Sequence, residues 1–195
     1  MISALKSLIR VRFFFTAVFL VVGGTIWLVT PRYTKYEGTA YGTYYRVIVF
    51  APRVSFLKRS LHRGMEDVLD RVDAVFSSYR SDSNVMALNR HVSTDPIQVA
   101  PELYDVMSRS MAWFLTLDGA WDPTLAPLSQ SLGLQPPSNG GLSTDRGFHH
   151  VTLQPNYFVK KGLPGLTFDF SSNAKGYAVD ELMQFIQSHL SLIHI

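Results

Sequence analysis

The sequence predicts an α+β fold: a mainly antiparallel sheet with packed helices, preceded by one N-terminal apolar helix. Three observations carry this. Strand-like and helical runs come in blocks, strand, helices, strands, helix, rather than in the alternation of a doubly wound sheet. Two long stretches repeat apolar residues every three or four positions. The run from Phe13 to Val29 contains no charge.

That run, "FFFTAVFLVVGGTIWLV", follows the basic "MISALKSLIRVR". At ~1.5 Å per residue it nearly spans a ~30 Å hydrocarbon core. Trp27 and Tyr33 suit the far interface, and Lys6, Arg10 and Arg12 keep the N-terminus cytoplasmic. Residues 1–30 are therefore read as a membrane anchor or signal sequence. A single pass would leave the domain outside the cytoplasm. Cleavage near the small residues Val22–Gly24 is the alternative. "TPRYTKYEG" reads as a polar linker, residues 31–38, before a domain over 39–195.

"TAYGTYYRVIVFAP" reads as one strand, β-branched and aromatic, ended by Pro52. Ser55 can cap a helix with Phe56, Leu61, Met65, Val68, Leu69, Val72, Val75 and Phe76 on one face. After the loop "SSYRSDSN" a short helical piece runs to Asn89. Pro101 opens a second amphipathic helix, with Leu103, Val106, Met107, Met111, Phe114 and Leu115 as its stripe, and Gly119 stops it. "QPPSNGG" is a surface loop. "HHVTL", "NYFVKK" and "LTFDF" read as strands, the last two joined by a "GLPG" turn, and a helix follows.

Composition bounds the function. At 195 residues the chain is long enough for one domain of ordinary size, and its composition, 47% hydrophobic and 17% charged, is globular. The net charge of +3 is scattered, which is no nucleic-acid footprint. The absence of cysteine excludes disulfides, thiolate metal sites, a cysteine nucleophile and lipid attachment through cysteine. The six histidines show no metal spacing. His149 and His150, adjacent in a predicted strand, would point to opposite faces.

Three polar constellations fall at element boundaries, where functional loops lie. In "TFDFSSNAKGYAVDEL", Ser171 or Ser172 can cap a helix whose free N–H groups form an anion site. Lys175 in its first turn opposes the helix dipole unless a phosphate is bound there. Asp169 and the Ser172 oxygens are hard ligands of the kind magnesium uses beside a phosphate. In "DGAWDPT", Trp121 and Asp122 can receive a heterocycle. In "SSYRSDSNVMALN", Tyr79 can stack on a ring, and Asp82 or Ser83 can cap the next helix. Each has a plain structural reading as well: a capped surface helix with a solvated lysine, a turn with a core tryptophan, a capped turn with an exposed arginine.

Order and spacing add what the single motifs lack. "YGTYYRV", "SSYRSDSNVMALN", "DGAWDPTLAPL" and "FDFSSNAKGYAVD" together resemble the FAD:protein FMN transferases, the ApbE family, from about Tyr41 to Asp180. The resemblance implies an enzyme that binds FAD and Mg2+ outside the cytoplasm. It would transfer FMN from FAD to a threonine hydroxyl of a target protein, a membrane redox subunit, releasing AMP. Some members instead hydrolyse FAD to FMN and AMP. An FAD-binding module or an FAD pyrophosphatase without transferase activity is thus the alternative expectation. By motif, Tyr41, Tyr79, Ala120, Trp121, Asp122, Asp169 and Lys175 match cofactor-binding positions, and Ser172 matches a metal-binding one.

The chain departs from the family pattern in places. Tyr41 stands where a methionine is usual, Trp121 where phenylalanine is common, and Asn84 where glutamate is usual. No lipid-attachment cysteine is present, and the anchor can replace it. After Asp180 the sequence runs to "SLIHI", whereas the family continues through a glycine-rich strand and an Asp/Thr metal motif, so the resemblance implies that residues 39–195 are a partial domain without the C-terminal part of the fold. The proton acceptor for the attacking threonine is expected in that continuation, so no catalytic residue is assigned here.

Overall fold

The computed structural model describes residues 2–51, 55–134 and 145–190. The chain divides into two compact units, Met1–Met65 with Ile186–Ile195, and Glu66–Phe185.

In the first unit, α1 runs Ile2–Val29. Its apolar side chains are exposed, Phe13 at 77% and Phe19 at 76%. The described side chains from Phe13 to Leu28 cover about 24 Å at ~1.5 Å per residue. Among the described residues no helix is long and apolar enough to cross a membrane.

The stretch read as a linker, residues 31–38, belongs instead to strand β1 (Arg32–Ala40), which pairs antiparallel with β2 (Thr43–Ala51). The polar composition hid a strand because one face carries Tyr33, Lys35, Glu37 and Thr39 to the outside. The pairing makes sense of those residues. Glu37 lies opposite Arg46 and accepts from its Nε at 2.6 Å, and Tyr33 lies opposite Phe50 with ring centroids 5.1 Å apart. Tyr36, Val49 and Ala51 point inward and are buried.

The predicted single strand over "TAYGTYYRVIVFAP" is broken by a two-residue turn. Tyr41 (φ 52°) and Gly42 (φ 70°) are both left-handed, the signature of a type I′ hairpin. A Cβ on Gly42 would meet nothing within 4 Å, so only the backbone demands glycine there. Gly42→Ala is expected to destabilise the hairpin by about 1 kcal/mol. A urea titration reads this as a lower midpoint at unchanged slope; an unchanged midpoint would refute it. Pro52 and the side chains of Ser55 and Phe56 lie outside the described residues.

Helix α2 (Ser55–Phe76) buries the predicted face: Leu61 and Met65 in the first unit, then Val68, Leu69, Val72, Val75 and Phe76 in the second. In the second unit α3 spans Asn84–Arg90, capped by Ser83, whose side chain accepts from the Met86 N–H at 3.2 Å. A two-residue strand β3 (Ile97–Gln98), absent from the sequence reading, pairs with β5 (Phe158–Lys161), which also pairs with β4 (Val151–Gln154). Both pairings are antiparallel. Helix α4 (Pro101–Thr116) begins with Pro101 in its first turn and buries Leu103, Val106 and Met107. Of the rest of the predicted stripe, Met111 and Phe114 are half-buried and Leu115 is exposed. Beyond it Gly119 (φ 75°) donates to Phe114 O at 2.9 Å and closes the helix end.

Helix α5 (Ala126–Ser131) was not anticipated either, and α6 runs Ser171–Leu190. "QPPSNGG" lies outside the described residues.

Two predicted strands differ. "HHVTL" starts as a 3-10 turn over Phe148–His150 before β4 begins. His149 and His150 therefore do not point to opposite faces; their rings lie 4.0 Å apart. "LTFDF" alternates as predicted, with Leu166, Phe168 and Phe170 buried, but residues 166–170 join no ladder among the described residues. Phe168 packs against Phe148 and Phe170, and Phe170 against Phe76. The alternation was right because it follows burial; the pairing was wrong because a side chain takes the ladder's place.

Candidate active site

That side chain is Asn89, at the end of α3. Its Oδ1 accepts from Phe168 N at 2.7 Å and its Nδ2 donates to Phe168 O at 3.0 Å. The carboxamide thus satisfies both backbone groups, as a neighbouring strand would. The next amide, Asp169 N, donates to Pro123 O at 2.7 Å. This joins the "DPT" turn to the start of α6, so the two strongest sequence motifs meet.

Asp169 organises the junction. Its Oδ1 accepts from the Ser171 N–H at 2.8 Å and from the Ser171 hydroxyl, and its Oδ2 accepts from Ser129 Oγ at 3.0 Å. The predicted caps are corrected here. Ser171 and Ser172 are helical residues, and the carboxylate two positions upstream takes the first free N–H. An anion is favoured at that end of the helix, so Asp169 sits where the dipole wants negative charge. Ser172 Oγ donates to Asn173 Oδ1 at 3.0 Å. Lys175 stands exposed in the opening part of α6.

Asp122 and Thr124 hold the "DPT" turn together. Asp122 Oδ1 accepts from Thr124 N at 2.8 Å and from Thr124 Oγ1 at 2.7 Å. The fully buried Thr124 hydroxyl also accepts from Gly147 N at 2.7 Å. One oxygen of Asp122 is therefore spent on the turn. Trp121 is half-buried, edge-on to Trp113 with centroids 5.9 Å apart, and Ala120 is exposed.

Tyr79 is 74% exposed, and its hydroxyl donates to Leu134 O at 3.3 Å. Beside it Arg80 grips Asp82 at 3.0 Å and reaches Asp73 at 3.6 Å. The guanidinium holds the Asp82 carboxyl below its usual range. Asn84 accepts from Ala100 N at 3.1 Å, so this departure from the family pattern ties α3 to the entry of α4. Tyr41 belongs to the first unit and is described there.

Asp122 and Asp169 are thus brought together through Pro123. Tyr79, Ser172 and Lys175 make no direct hydrogen bond to that pair among the described residues. Sequence reasoning missed Asn89, Thr124, Ser129 and Lys161. Asn89 and Thr124 stood inside quoted motifs; Ser129 carried no local signal.

Among the described residues no group of three His, Cys, Asp or Glu side chains could hold a metal ion. Asp169 and Ser172 carry hard oxygens of the kind magnesium takes, each already engaged in a hydrogen bond within the protein.

The ApbE family profile matches residues 41–192, most of the chain. The chain belongs to the ApbE family. Among curated relatives of this ApbE chain, the FAD:protein FMN transferase of Chlamydia muridarum is 27% identical over 176 residues, covering 82% of this chain and 55% of the relative. That of Escherichia coli K12 is 30% identical over 169 residues, covering 79% and 47%. The solved flavin transferase ApbE from Vibrio cholerae superposes with a TM-score of 0.72 at 26% identity, covering 82% of this chain and 54% of that one. The chain spans about half the length of the curated relatives it matches. The mixed fold with antiparallel sheets is that of the family.

Proposed function

We propose that this ApbE chain takes part in transferring FMN from FAD to a threonine hydroxyl of a target protein, with release of AMP. The observation that carries the reading is the junction of the "DPT" turn with the start of α6 through Pro123 and Asp169. It sets two acids and a helix N-terminus on one short stretch of surface. The names of the relatives support the flavin chemistry.

Such a transfer forms a bond from the threonine oxygen to the FMN phosphorus and breaks the phosphoanhydride to AMP. It demands positioning and charge neutralisation more than covalent help. Trp121 and Tyr79 would bind rings, and Asp122 and Asp169 would accept ring or ribose protons. Lys175 would face the pyrophosphate, which explains a cation in the first turns of α6. Tyr41 would contact the flavin. Mg2+, held through Ser172 and the phosphates, would supply charge neutralisation when bound.

The acceptor would be a membrane redox subunit. The exposed apolar surface of α1, with basic residues before it, supports a single-pass anchor and a domain facing the periplasm or cell exterior.

The test uses the full chain in lipid nanodiscs with FAD, Mg2+ and a threonine-bearing peptide. The expected result is a peptide heavier by one FMN and an equal amount of AMP. AMP and free FMN without a modified peptide would make it a pyrophosphatase. Bound FAD with no AMP would leave a binding module. No FAD binding would overturn the reading.

A further inference from the structure

Residues 166–170 carry Asp169, yet among the described residues they have no strand beside them. Besides the bond from Asp169 N to Pro123 O, two side chains fix them. The Lys161 ammonium is fully buried and donates to Leu88 O at 3.2 Å and Leu166 O at 3.1 Å. Asn89 clasps the backbone of Phe168 from both sides. Leu88 and Asn89 are neighbours at the end of α3, so one helix end and one lysine hold alternate residues of the same segment.

No ion pair to Lys161 occurs among the described salt bridges, which makes a buried cation an expensive choice for packing alone. A methionine or leucine would fill the same volume without burying charge. What the lysine adds is direction: a donor that reaches two carbonyls from different elements at once. Phe168 is then held on both backbone groups, and Asp169 is the next residue along.

We infer that Lys161 and Asn89 are positioning residues for the flavin site, a clamp that sets where Asp169 and the first turn of α6 present themselves. The inference rests on the flavin reading above and names how this chain prepares that site. Lys161 and Asn89 touch the backbone of the segment, not a ligand, so they act through Asp169.

The test compares the full chain with Asn89→Ala, Asn89→Asp and Lys161→Met. It reads FAD affinity by flavin fluorescence and the Phe168 and Asp169 amides by hydrogen exchange. Asn89→Ala is expected to exchange at Phe168 at least 100-fold faster and to bind FAD at least tenfold more weakly. Asn89→Asp keeps the acceptor for Phe168 N–H and is expected to retain most of the protection there. Lys161→Met is expected to weaken FAD binding at least fivefold. Val106→Ala, in the buried face of α4, controls for general destabilisation and should leave the FAD affinity of the folded protein within twofold. Unchanged exchange at Phe168 in Asn89→Ala overturns the clamp. Fast exchange with unchanged FAD affinity overturns its positioning role. Failure of the unmodified chain to bind FAD overturns the flavin reading and the clamp's role with it, while exchange still reports whether the clamp exists.

Discussion

The stability of this protein is expected to rise by about 2–3 kcal/mol between pH 8 and pH 10, and Lys161→Met is expected to abolish that rise. Burial pushes the Lys161 ammonium down from 10.5 to about 8. Below pH 8 both folded and unfolded chains hold the proton, and the folded state carries the full penalty of a buried charge. Above pH 8 the folded amine sheds its proton while the unfolded chain keeps it up to 10.5. The unfolded state then binds more protons, so stability climbs with pH, by about 1.4 kcal/mol per unit. The neutral amine still has hydrogens for Leu88 O and Leu166 O. Above pH 10 Tyr177 intervenes with the opposite sign. Burial first, then the nearby Glu181, Glu102 and Asp105, push its phenol up to about 12. The unfolded tyrosine ionises first, and that contribution is lost as pH rises. Urea midpoints from pH 7 to pH 10 on both proteins decide the matter. Parallel curves would mean that the Lys161 amine is solvated in solution.

Lys161 also shows what a sequence can and cannot display. In "NYFVKK" it shares a strand face with Val159, two residues away, and that face is buried. The alternation thus held the clue, but lysine composition pointed outward. The long helices α2 and α4 were legible because their apolar spacing matches the turn of a helix, and Ser83 was legible as a cap because capping is local. Strand β1 was not legible: its inward residues include Thr34, Gly38 and Ala40, too small and polar to mark a buried face. Its turn uses Tyr41–Gly42 rather than a pairing that announces a hairpin. The family motifs singled out Asp122 and Asp169, and the structure brings their two segments together through Pro123. They could not reveal that Ser129, 40 positions before Asp169, donates to it, or that Asn89 substitutes for a strand 79 residues downstream. Those bonds are set by tertiary structure, and no spacing encodes them.

Asp169 is where structural and functional demands collide, and two substitutions separate them. Asp169→Ala is expected to destabilise the second unit by about 2–4 kcal/mol. It removes the acceptor at the start of α6, worth about 1–2 kcal/mol as a helix cap, and leaves the half-buried Ser129 hydroxyl without its partner. Asp169→Asn keeps the shape. Its carbonyl oxygen can still accept from Ser171 N, and its amide can donate to Ser129 Oγ in a reversed bond. The expected loss is under about 1 kcal/mol. Yet the charge is gone. A carboxylate has about four acceptor positions, and the three bonds seen here leave room for one more. If the flavin nucleotide donates to that position, the asparagine loses a charge-assisted bond worth about 1.5–3 kcal/mol, roughly 10–100-fold in FAD affinity. Chemical denaturation and FAD titration on the same two variants give four numbers. A stable Asp169→Asn with weakened FAD binding assigns Asp169 to the cofactor. A stable Asp169→Asn that binds FAD as tightly as the unmodified chain would show that the carboxylate serves the fold alone, by capping α6 and holding α5.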